Sequence, residues 1–131
     1  MLDAHGRAID YLRLSVTDLC DLRCIYCMPE SGVPHLPHSN ILRVEECIDI
    51  AKTAVELGIR KIRITGGEPL VRRGILEICQ GIGALPGLQE LCITTNGRGL
   101  VDYAVPLRAA GVSRLNISLD TLDPDKYRML T

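Results

Sequence analysis

Apolar residues along the chain recur at two spacings in turn, and that alternation sets out its elements. Tyr11-Leu12-Arg13-Leu14-Ser15-Val16 alternates well enough to predict a strand. From Arg43 to Leu57, the residues Val44, Cys47, Ile48, Ala51 and Val55 recur at helical spacing, and Gly58 predicts the stop. Lys61–Ile64 follows as a second strand, and Ile75–Ile82 as a second helix ended by Gly83. Leu91–Thr94 predicts a third strand and Leu100–Ala110 a third helix, closed by Gly111. Leu115–Leu119 is a fourth strand, and Pro124 marks where a further helix can begin.

Strands and helices in strict alternation predict a parallel sheet with right-handed crossovers, an α/β architecture. Four such units make either an open doubly wound sheet or about half of a barrel. The position of the polar and glycine-rich stretches favours the barrel sector. Cys20 to Cys27, Gly66-Gly67-Glu68-Pro69, Thr94-Thr95-Asn96-Gly97 and Ser118-Leu119-Asp120 each come just after or at the end of a strand. Loops after parallel strands gather on one face, where βα proteins bind their ligands. A single site facing the cysteines is the expectation.

Composition sharpens this picture only a little. The chain has 131 residues, no Phe and no Trp, and hydrophobic content of 47%, so Leu, Ile, Val and Ala must fill one core. A net charge of -1 without a long basic run offers nothing to nucleic acid. No apolar run approaches membrane-spanning length, and residues 1–10 lack the apolar centre of a signal peptide. A cytoplasmic location is expected, and in a reducing compartment six cysteines are better explained by metal binding and packing than by disulfides.

The candidate chemistry centres on Cys20, Cys24 and Cys27, spaced C-x3-C-x2-C in one loop. A cubane iron–sulfur cluster takes four cysteines in ferredoxins. A loop with three leaves one iron open to a small ligand, as an open position separates catalytic from structural zinc. Zinc with His35 or His38 as fourth ligand is the alternative, and both histidines otherwise read as ordinary loop residues. Cys47, Cys79 and Cys92 fall on apolar helix and strand positions and read as small buried hydrophobes.

Gly66-Gly67 lets backbone approach a ligand closely, or simply makes a tight turn. Glu68 offers a carboxylate to a cation such as an amino acid's ammonium. Thr94 and Ser118 are hydroxyls at strand ends, where local hydrogen bonds are the ordinary use. Arg13 and Arg63 lie in strands expected to be buried on both faces. They should pair with carboxylates or point into the barrel mouth toward something anionic. Arg72 and Arg73 read as solvated surface.

With these residues in place, the chain resembles the N-terminal part of a radical S-adenosylmethionine enzyme, and more narrowly the GTP 3',8-cyclases of molybdenum cofactor biosynthesis. The general signature is the cysteine spacing with Tyr26 before its last member. The narrower likeness runs through Gly6-Arg7, Leu12 to Asp18, Cys27-Met28-Pro29, Arg63 to Leu70, Thr94 to Gly97 and Asn116 to Asp120.

The resemblance implies a (βα)4 part of a partial TIM-like (βα)6 barrel, with 1–131 a single core domain incomplete at its C-terminus. It implies a [4Fe–4S] cluster on Cys20, Cys24 and Cys27, its fourth iron chelated by S-adenosylmethionine. Reductive cleavage would give a 5'-deoxyadenosyl radical that takes the 3' hydrogen of GTP, after which the ribose carbon attacks C8 of guanine. Tyr26, Gly66, Gly67, Glu68 and Ser118 match positions around S-adenosylmethionine, and Arg13, Arg63 and Thr94 match positions around GTP.

An electron donor is implied as a partner, and a second [4Fe–4S] cluster is expected only in the C-terminal part that lies beyond this chain. An unpaired sheet edge invites another chain, a homodimer among them. A peptide maturase with a similar core and a non-catalytic iron–sulfur module are the alternatives. Three positions depart from the pattern. Leu19 stands where Arg is usual, Asp21 where Asn is usual, and Gly74 where Asp commonly caps the next helix.

Overall fold

The computed structural model describes residues 2–34, 36–37 and 40–131. His35 and His38, the alternative zinc ligands, lie outside the described residues. The expected alternation is observed. Strands β1 (Tyr11–Ser15), β2 (Lys61–Thr65), β3 (Glu90–Thr95) and β4 (Arg114–Ile117) are joined in turn by helices α1 (Val44–Glu56), α2 (Ile75–Gly83) and α3 (Leu100–Ala109), and α4 (Pro124–Leu130) follows β4. The pairings between these four strands are parallel and the strand order is β1-β2-β3-β4.

Local chemistry places the helix ends. Asp123 caps α4 by accepting from the Asp125 and Lys126 amides at 2.9 and 3.2 Å, with Pro124 in the first turn. At α1, the Glu46 carboxylate reaches back to the Arg43 amide at 2.7 Å. Gly74 begins α2 at φ 77, a left-handed conformation natural to glycine, and no side chain caps that helix. Helix α3 carries Pro106 in its interior, which removes one helical N–H.

The core lies on one face of the sheet. Leu14, Ile62, Ile64, Leu91 and Ile93 pack with Cys47, Ala51, Ile78, Cys79 and Ile82 of the helices, and Ile62, Ile64, Ile78 and Ile93 are fully buried. Each such side chain contributes about 1.5–3 kcal/mol by leaving water.

The opposite face corrects an expectation. Apart from Cys92 of β3, which is buried, the strands do not bury this side, because their alternate residues form polar rows rather than a second apolar layer. Register aligns Arg13, Arg63, Cys92 and Arg114 in one row and Ser15, Thr65, Thr94 and Asn116 in the next. Arg13, Arg114 and Asn116 are exposed and Arg63 is half-buried. The fourth strand also ends earlier than expected, so Ser118 and Leu119 lie in the loop beyond it. Among the described residues no helix is long and apolar enough to cross a membrane.

The six thiols divide as their positions suggest. Cys47, Cys79 and Cys92 are buried, whereas Cys20 and Cys24 are partly accessible and Cys27 is exposed. Burial pushes the Cys79 thiol up to about 12 and raises those of Cys47 and Cys92 as well. A thiol reagent applied to the metal-free chain should therefore react quickly with three cysteines and with the other three only after denaturation. Rapid labelling of all six without denaturant would contradict this packing.

Candidate functional site

Loops leaving the carboxyl ends of β1, β2, β3 and β4 meet around a cavity of about 200 Å³. Its walls include Cys20, Cys24 and Cys27 from the first loop, Gly66, Gly67 and Glu68 from the second, Thr94 and Asn96 from the third, and Ser118 from the fourth. Tyr26 completes the rim. All of these but Asn96 were singled out from sequence as site residues, and they converge here.

Arg13 and Arg63 do not line this cavity. They occupy the row two residues further back along the strands, roughly 7 Å below the rim. Neither pairs with a carboxylate among the described residues, as sequence had allowed. Arg63 instead donates a long bond to Thr94 Oγ1 at 3.4 Å and lies 5.9 Å from the centre of the Tyr11 ring. Its Nε is buried with no hydrogen-bond partner among the described residues. A guanidinium left short of acceptors favours an anionic ligand over a structural pairing.

Sequence offered ligand access or a tight turn for the glycine pair, and the structure adds a further use. Gly67 donates its amide to Thr17 O at 2.8 Å, and Glu68 donates to Leu19 O at 2.8 Å. The cysteine loop is thereby zipped onto the second loop as a continuation of the β1–β2 pairing. A Cβ on Gly66 would collide with Thr17 O, and one on Gly67 with Leu19 O. The glycines admit backbone first of all, and that backbone carries the cysteines.

Glu68 is 2% exposed and its carboxylate is a clasp. One oxygen accepts from Thr95 Oγ1 at 2.7 Å and from the Leu70 amide at 3.0 Å; the other accepts from the Asn96 amide at 2.6 Å. It joins the second loop to the third while also lining the cavity.

Five contacts that sequence reasoning missed hold the cysteine loop from its far side. The Tyr26 hydroxyl donates to Asp120 Oδ2 at 2.6 Å, and this bond, more than any other influence, pushes the phenol well above its ordinary range. Asn96 Nδ2 donates to Asp21 Oδ1 at 2.7 Å, and Arg98 Nη1 to Asp21 O at 3.0 Å. The Arg23 and Ile25 amides donate to Thr131 O and Leu130 O. Asn96 and Asp120 lay within motifs already noted, but Arg98 carried no sequence signal. Arg72 is a further correction. It is half-buried, not solvated surface, because its Nη2 donates to Leu42 O at 2.6 Å.

The donor set fits an iron–sulfur cluster. Three reduced thiols border one cavity on a backbone immobilised by neighbouring loops. A cubane spreads its cysteines one to an iron corner, and a loop that brings three of them to one lined cavity suits that arrangement. Burial raises the Cys20 thiol above its usual value, and the Asp21 and Glu68 carboxylates add to that.

The chain belongs to the radical SAM superfamily, whose family description matches residues 14–131. Membership implies a [4Fe–4S] cluster and S-adenosylmethionine as cofactors. Across its whole length the chain is 55% identical to a GTP 3',8-cyclase of Petrotoga mobilis and 59% identical to one of Pseudomonas entomophila. A GTP 3',8-cyclase 1 of Pseudomonas aeruginosa is 58% identical over 130 residues. The chain spans about two fifths of these relatives, covering 41%, 39% and 39% of their lengths. In fold it is similar to BtrN, solved in complex with AdoMet and 2-DOIA, with a TM-score of 0.65 over 95% of this chain and 51% of that one at 15% identity.

Proposed function

We propose that this chain forms the cluster-bearing portion of a GTP 3',8-cyclase, which converts GTP to a 3',8-cyclised dihydroguanosine triphosphate at the start of molybdenum cofactor synthesis. The observation that carries the reading is identity of 55–59% over the chain's full length to relatives of that name. The sheet's open face supports it independently, because it sets a guanidinium nitrogen without a partner among the described residues close behind a cysteine-lined cavity.

In this reading Cys20, Cys24 and Cys27 hold a [4Fe–4S] cluster in a single core domain. The cluster and S-adenosylmethionine together would supply a 5'-deoxyadenosyl radical able to take a hydrogen from the ribose of GTP. The chain's own residues bind and orient. Tyr26, Gly66, Gly67, Glu68 and Ser118 surround the cavity and are proposed to contact S-adenosylmethionine. Arg63 and Arg13 are proposed to meet the anionic substrate from below, with Thr94 between the two sites. Arg63 lies nearest to that boundary through its bond to Thr94. Packing of the loops against one another fixes the backbone of the cysteines before any ligand enters.

Anaerobic reconstitution of the chain tests this proposal. S-adenosylmethionine should change the EPR spectrum of the reduced cluster, and GTP should produce a further change that Arg63→Ala diminishes. A cluster whose spectrum ignores S-adenosylmethionine would leave the electron-transfer module as the better reading. A response to S-adenosylmethionine but none to GTP would favour another radical SAM enzyme.

A further inference from the structure

Asp21 sits between the first two cysteines, and both of its carboxylate oxygens are engaged by another loop. Asn96 Nδ2 holds Oδ1 at 2.7 Å, while Arg98 Nη1 lies 3.3 Å from Oδ2 and also donates to the Asp21 carbonyl at 3.0 Å. The Arg98 amide donates to Asn96 Oδ1 at 3.0 Å, so the two residues that grip Asp21 are themselves tied together. Asp21 Oδ1 lies 4.0 Å from Cys20 Sγ.

Two carboxylates stand near that sulfur, Asp21 at 4.0 Å and Glu68 across the shared cavity. Glu68 is answered by two backbone amides and a hydroxyl, all neutral dipoles. Asp21 alone is answered by a full positive charge.

We infer that Arg98 is a positioning and charge-balancing residue for the cysteine loop: it holds Asp21 against the third loop and offsets the negative charge Asp21 places beside Cys20. The inference rests on the reading of Cys20, Cys24 and Cys27 as cluster ligands. Reduction adds negative charge to a cluster, so an unanswered carboxylate next to a ligand opposes it and a nearby guanidinium favours it. Residues outside the ligand set commonly tune a metal site in this way. The ion pair is partly exposed, with side-chain accessibilities of 54% for Arg98 and 32% for Asp21, so it contributes little to fold stability. Its loss should leave the fold intact and register at the cluster.

The test compares the parent chain with Arg98→Ala, Arg98→Lys, Asp21→Asn and the double variant Asp21→Asn/Arg98→Ala. Each is reconstituted anaerobically, checked by circular dichroism, and titrated with reductant while the reduced cluster's EPR signal is followed. Arg98→Ala should shift the midpoint potential to more negative values and Asp21→Asn to more positive ones. The double variant should return close to the parent, and Arg98→Lys should stay closer to it than Arg98→Ala. Opposite signs are the mark of charge, because a purely mechanical tether would push both single variants the same way.

Should Arg98→Ala fail to retain a cluster, retention by the double variant supports the inference and failure of both overturns it. Single variants that shift together, or not at all, also overturn it while leaving the cluster reading in place. A parent chain that takes up no cluster would overturn both.

Discussion

Gly67→Ala is expected to cost about 3 kcal/mol of stability and to abolish cluster retention, although it adds one methyl group at an accessible position. The new Cβ would meet Leu19 O, and would also lie 2.6 Å from Leu19 C and 2.8 Å from Asp18 O. All three are backbone atoms, so no flexible side chain can yield. Relief requires the cysteine loop to lift away from the second loop, breaking the bonds from Gly67 to Thr17 O and from Glu68 to Leu19 O. Cys20 would move with that segment. Denaturant unfolding followed by circular dichroism measures the first effect, and iron and sulfide content after anaerobic reconstitution measures the second. A variant with the parent's stability and a full complement of iron would show that the two loops are not docked as described.

Glu68→Ala should be at least as damaging, at about 3–5 kcal/mol, because it strands buried donors. The Leu70 and Asn96 amides would lose their acceptor, and the Thr95 hydroxyl would have to turn elsewhere. Each unsatisfied buried donor costs about 1–3 kcal/mol. Glu68→Gln keeps one oxygen and should cost about half as much. The two variants separate a clasp from a ligand contact. If the carboxylate served only an incoming ammonium, both would unfold at the parent's denaturant concentration and differ only in affinity for S-adenosylmethionine. The geometry predicts lowered unfolding midpoints, graded from Gln to Ala, in the absence of any ligand.

Both predictions concern the same structural fact. The cavity is assembled by loops holding one another, and the groups most exposed to functional interpretation also do that holding. A carboxylate in a glycine-rich loop suggested a ligand contact because sequence shows its neighbours along the chain and not across it. Thr95 lies 27 residues from Glu68, and Asn96 lies 28 away.

The sequence by itself determined the order and identity of the elements, their parallel pairing and the face on which the site would form. These follow from local rules: apolar periodicity, glycine and proline at the ends, and the geometry that sends loops after parallel strands to one side. It also separated Cys20, Cys24 and Cys27 from Cys47, Cys79 and Cys92, since the latter three occupy apolar positions of regular elements.

Only the tertiary structure decided the roles that depend on distance across the chain. Arg13 and Arg63 proved to stand on an open polar face because the helices cover only the other side of the sheet. Arg72 turned from surface to fastening through Leu42, 30 residues away. Asp21 acquired its counter-charge from Arg98, 77 residues on, in a loop where no periodicity or motif distinguishes an arginine. Spacing along the chain can bring three thiols to one loop; only folding chooses which charges and which backbone atoms will surround them.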